Sequence, residues 1–142
     1  MLATMLAERG VQLALGIVLV RAGASKARAP WIFVAAVRSW GLLPERVAAP
    51  FVRGFVAVEL SVGGGAVIAG LTGRGSAVAS FVVFAAFVAF SSGLFLIRLR
   101  TGVARCGCGP GASMVRWRTV GRASALACVA IGPRLGYAVA MG

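Results

Sequence analysis

The chain has 142 residues, of which 60% are apolar and only 13% charged, and its fifteen basic side chains against three acidic ones give a net charge of +12. A mean hydropathy of +0.95 excludes an ordinary soluble domain, and the lack of histidine with only three acids leaves no hydrolase constellation to assemble. The basic residues do not interleave with aromatics as nucleic-acid surfaces do, so the expected partner of the excess charge is anionic lipid and not nucleic acid.

The first apolar stretch covers about residues 7–25, with Arg21 near its end. Its core, Val11 to Val20, has the length of a secretory signal, and Ala22-Gly23-Ala24 and Ala27-Arg28-Ala29 have the form of cleavage sites. Glu8 offsets Arg9, however, and the missing positive start predicts a retained span. Trp31 to Trp40 is too short to cross a bilayer and carries a Trp at each end, so it is expected to lie flat on the membrane surface, closed by a turn at Leu43-Pro44. A second span runs from about 54 to 73, uncharged except at Glu59, and Gly63, Gly64, Gly65 and Gly70 permit close approach of a neighbouring helix. The third, 76–97, contains no charge and ends in Arg98-Leu99-Arg100, whose basic side chains reach back to the headgroups. The last, 119–140, carries Arg122 near its start and a bend-inducing Pro133 before Arg134. No polar linker divides these stretches, so the expectation is one domain: an all-α integral membrane four-helix bundle with a short interfacial helix between helices 1 and 2.

Between the third and fourth spans stands Arg105-Cys106-Gly107-Cys108-Gly109-Pro110-Gly111. The glycines and proline exclude a helix and hold the two thiols on an accessible loop, Gly107 supplying backbone freedom between them and Gly109 the break after them. A disulfide between residues i and i+2 closes a small strained ring, which exchanges readily. Arg105, with Arg98, Arg100, Arg116 and Arg118 close in sequence, favours the reactive thiolate. Redox exchange at Cys106 and Cys108 is therefore the leading reading, beside inert packing thiols and two-coordinate copper(I). A structural zinc site lacks ligands, since only Cys128 remains and there is no histidine; Cys128 falls inside the last span and is expected to pack as a small apolar residue.

Glu59 is the one acid within a span, and a carboxylate in hydrocarbon must be paired, neutral or turned to a polar interior. Arg21, Lys26 and Arg122 are its candidate partners, and Glu59 is placed about one and a half turns into its helix from the cysteine-loop side. A proton-carrying or quinone-site role and a packing salt bridge both fit it. Charge and chemistry disagree on orientation: residues 26–53 and 98–118 carry ten of the fifteen basic residues, which places the cysteine loop inside, whereas a working disulfide belongs on the oxidising face.

The order Lys26, Trp40-Gly41-Leu42-Leu43-Pro44, Glu59, Cys106-Gly107-Cys108-Gly109 and Arg122 resembles the methylamine utilisation protein MauE family, within the wider DoxX-like membrane proteins, over most of the chain. The family often has an aromatic residue where this chain has Gly109-Pro110, and an Asn where it has Ala123. The resemblance implies a four-helix membrane protein that supports disulfide formation or electron transfer for exported proteins with a thioredoxin-like partner. It implies Cys106 and Cys108 as the redox pair, Lys26, Glu59 and Arg122 as a polar bundle interior, and an extracytoplasmic cysteine loop, which is the expected orientation. A membrane quinone is the candidate electron acceptor. The rival from another class is a non-catalytic accessory subunit of a larger membrane complex, packed through its glycine-rich helices.

Overall fold

The computed structural model describes residues 2–74, 76–101, 105–109, 111–114 and 117–141, with side chains described at 5–74, 77–100, 118–130 and 132. Five helices dominate: α1 (Leu2–Arg28), α2 (Pro30–Ser39), α3 (Glu45–Thr72), α4 (Ser76–Thr101) and α5 (Trp117–Met141). A two-stranded antiparallel hairpin, β1 (Arg105–Gly109) and β2 (Gly111–Met114), joins α4 to α5. Two helices are long and apolar enough to cross a membrane, Glu45–Thr72 and Ala77–Arg100, with mean hydropathies of 1.7 and 2.3.

Proline sets the breaks. Pro30 forces the residue before it out of the helical region, and Ala29 sits at φ −138° and ψ 63°, ending α1 and letting Pro30 open α2. Pro44 in extended conformation precedes α3, and Glu45 stands in its first turn, where a negative charge suits the helix dipole. α3 therefore begins about two and a half turns before the expected boundary at 54. Arg46 and Arg53, which precede the apolar run, stand on the exposed face of the helix.

α1 and α3 pack antiparallel at close range. Gly16 faces the Gly63 carbonyl and Val67, Gly23 faces Leu60 and Glu59, and Gly70 faces Leu13 and the Arg9 carbonyl. Glycines thus recur at seven-residue intervals on both helices, and without Cβ atoms the backbones meet directly. A Cβ at Gly63 would stand 2.9 Å from the Val20 nitrogen and 3.0 Å from the Gly16 oxygen, whereas one at Gly64 would meet nothing within 4 Å. Gly63→Ala is therefore expected to lower stability by about 1–3 kcal/mol through overpacking. Gly64→Ala is expected to be neutral or slightly stabilising, and parallel unfolding curves in detergent micelles compare the two.

α4 completes the packing, running parallel to α1: Gln12 Nε2 donates to Ser80 Oγ at 2.8 Å, and Leu15 and Leu19 share a core with Val83, Phe87, Ala66, Ala127 and Ala130. α5 returns antiparallel to α4, with Ser91 and Ser124 hydroxyls 2.6 Å apart and Leu94 and Ile97 against Val120 and Ala123. Gln12, Lys26, Glu59 and Ser80 are buried beside an otherwise apolar core, while Ile68, Leu71, Val78, Phe81, Leu96 and Leu99 are exposed, a surface richer in large apolar side chains than a water-facing one needs.

The helix between the first two long ones occupies 30–39, as expected, but it is not a free surface helix. Phe33, Ala36 and Val37 recur at helical spacing and are buried against Ala48 and Val52 of α3, so α2 folds back along α3 and leaves only its other face, with Trp31 68% exposed, outward. Gly41, at φ +63°, makes the turn between them.

Candidate functional site

With α1 and α4 parallel and α3 and α5 opposed to them, the end of α1, α2, the start of α3, the end of α4, the hairpin and the start of α5 all fall at one end of the molecule. The hairpin's first strand packs on both α1 and α2. Cys106 pairs across it with Ser113, and Gly109 pairs with Gly111. Three residue steps on β1 between these positions match two on β2, so the ladder carries one extra residue at Gly107-Cys108. The side chains of Arg105, Cys106 and Cys108 lie outside the described residues.

The buried chemistry at this end is an ion pair. The Lys26 Nζ lies 2.6 Å from each carboxylate oxygen of Glu59, with residue exposures of 2% and 9%. Lys26 closes α1 and Glu59 is in mid-α3, where Gly23 lets the helices approach closely enough for the lysine to reach across. Glu59 is fourteen residues from the start of α3 (59 − 45 = 14), nearly four turns in and not one and a half, because the helix starts earlier than its apolar part.

Aromatic rings enclose the ammonium. Lys26 Nζ stands 5.2 Å from the ring centres of both Phe33 on α2 and Phe55 on α3, within range of a cation–π attraction that strengthens when water is excluded. Phe55 also packs on Phe51 and Phe90, with centroids 6.0 and 6.2 Å away, and Phe33 meets Trp40 edge to face at 6.0 Å. Trp40 in turn touches the core between α4 and α5. The result is a closed clasp: both carboxylate oxygens are taken by one ammonium, and two rings cover that ammonium. Sequence reasoning missed the rings, although Phe55 lies one helical turn before Glu59 on α3, a spacing that puts it beside the pair; Phe33 comes from α2, beyond the break at Ala29, and only the fold brings it to Lys26.

Arg122 does not join the clasp. α5 turns Val120, Ala123, Ala127 and Ala130 inward, and Arg122 falls between them on the exposed side. Arg21 is exposed as well, leaving Lys26 as the partner that geometry selects. Cys128 likewise is an exposed free thiol and not a core filler, since Ala127 beside it takes the inward position.

A family model described as methylamine utilisation protein MauE matches residues 2–135. Among curated proteins and among solved structures, none matches.

Proposed function

Because the chain belongs to the methylamine utilisation protein MauE family, we propose that it is a multi-pass membrane protein whose Cys106 and Cys108 cycle between dithiol and disulfide in support of an exported protein. α1 and α5 cross beside α3 and α4 as a four-helix bundle, with the hairpin on the extracytoplasmic face. A client dithiol attacks the Cys106–Cys108 disulfide, passes through a mixed disulfide and leaves oxidised, and the protein becomes the dithiol. Reoxidation sends two electrons and two protons to a membrane quinone, which leaves as quinol. A thioredoxin-like protein is the natural exchange partner. Lys26 and Glu59 act as the clasp that fixes the helix ends beneath the hairpin.

The observation that carries this reading is the position of the Cys-Gly-Cys strand: it lies at the end of the helices, packed on α1 and α2, at the same end as the Lys26–Glu59 pair. The glycines around the cysteines and the arginines flanking them suit a reactive pair more than an inert one. A second reading, an accessory subunit without catalysis, draws on the outward face of α5, where Gly121, Ala125, Cys128 and Gly132 follow one another at helical spacing as small exposed residues. Copper(I) on the cysteine pair predicts metal that co-purifies under reducing conditions and is lost with the cysteines.

Sidedness decides the matter first. In a Cys128→Ala background, a membrane-impermeant thiol reagent applied to intact cells is expected to label Cys106 and Cys108 only after mild reduction. Free thiols reached only after the membrane is opened would put the hairpin inside, where the basic count points, and would end the exported-client reading.

A further inference from the structure

α3 is longer than a hydrocarbon core requires. Its 28 residues extend ~42 Å, the thickness of a bilayer with its headgroups, of which the hydrocarbon takes ~30 Å or about twenty residues. With Thr72 at the far boundary, the first two turns of α3 fall in the headgroup layer at the hairpin end, and α2 is packed along them. The outward faces of these two helices mix exposed arginines with exposed apolar residues. Arg46 and Arg53 lie seven residues apart on one face of α3, near the exposed Val47 and Phe51; Arg28 ends α1 just before α2, and Arg38 stands in the last turn of α2, which also exposes Trp31. Among the described residues none of these four arginines meets a carboxylate, since Lys26 and Glu59 form the ion pair of this region.

We propose that the α2–α3 helical hairpin is a binding site for anionic phospholipid headgroups, with Arg28, Arg38, Arg46 and Arg53 on the phosphates and Trp31 and Phe51 among the adjoining acyl chains. Charge complementarity selects the occupant: among the described residues these four arginines meet no carboxylate, and with Arg46 in the headgroup layer and Arg53 just inside it, where a long side chain reaches back to the phosphates, they match a leaflet of anionic lipid. The apolar residues between them favour a lipid boundary over the hydrophilic acidic face of a protein. The proposal rests on α3 crossing the membrane and not on the cysteine chemistry, so client oxidation and lipid binding fail separately.

The test uses purified full-length protein in micelles, titrated with phosphatidylglycerol or phosphatidylcholine and read by native mass spectrometry. Phosphatidylglycerol is expected to bind the more tightly. R46Q/R53Q is expected to weaken it by about tenfold or more, R21Q/R74Q by less than about twofold, and R46K/R53K, which keeps the charges, hardly at all. Equal losses in the two glutamine pairs would overturn the site in favour of general attraction to a +12 protein. Indistinguishable binding of the two lipids would overturn it too and leave the arginines to an acidic protein partner.

Discussion

Lys26→Met is expected to destabilise the folded protein by about 3–5 kcal/mol, because it strands Glu59 as an uncompensated charge between α1 and α3. The Glu59 carboxylate has its two oxygens on one ammonium, each at 2.6 Å, and its side chain is only 11% exposed, so water cannot substitute for the lost partner. Removing both charges should restore most of the loss: K26M/E59L places apolar groups of similar volume beside Phe33 and Phe55, and such replacements are often neutral or stabilising. Unfolding midpoints of wild type, both single variants and the double variant form a cycle whose coupling measures the pair directly. A Lys26→Met protein as stable as wild type would remove the clasp from the account of this fold. A double variant that is stable yet inactive in client oxidation would give the pair a chemical duty beyond packing.

C106S/C108S is expected to reduce client oxidation to the level of membranes lacking the protein, with the protein's own abundance unchanged. Either single serine should do the same, since a disulfide needs both sulfurs and the two losses cannot add. Stability should hardly move, because serine is close to cysteine in size and the hairpin backbone, not the thiols, supplies the ladder of hydrogen bonds between β1 and β2. Intact client oxidation in the double serine variant, combined with loss of a co-purifying complex when the whole protein is deleted, would establish the accessory-subunit reading instead.

Several of these features were legible in the residues alone. The uncharged run ending at Arg98 read as a membrane helix, and the one acid within an apolar stretch, Glu59, required a partner or a polar interior, because hydrocarbon tolerates neither a lone charge nor an open backbone. The apolar run alone put the start of the second span near 54, whereas α3 begins at Glu45, since an arginine such as Arg46 or Arg53 at the outer turns of a long helix can reach the headgroups. The α2 segment was recognised by its length and its two tryptophans, yet the face it buries against Ala48 and Val52 depends on where α3 starts, which no local pattern states.

By itself the sequence determined the apolar, membrane-type composition, the turn at Leu43-Pro44, a non-helical Cys-Gly-Cys segment and the family, since each depends on composition or on residues adjacent in the chain; that the segment pairs as a hairpin came from the structure. Tertiary structure decided which cation Glu59 takes. Arg21, Lys26 and Arg122 were equal candidates by charge, but Gly23 draws α1 against α3 at the level of Glu59 and leaves Lys26 inside, whereas the small inward residues of α5 turn Arg122 outward. Helix rotation and approach are set by which glycines and alanines meet across the interface, and that is a property of pairs of helices and not of either one alone.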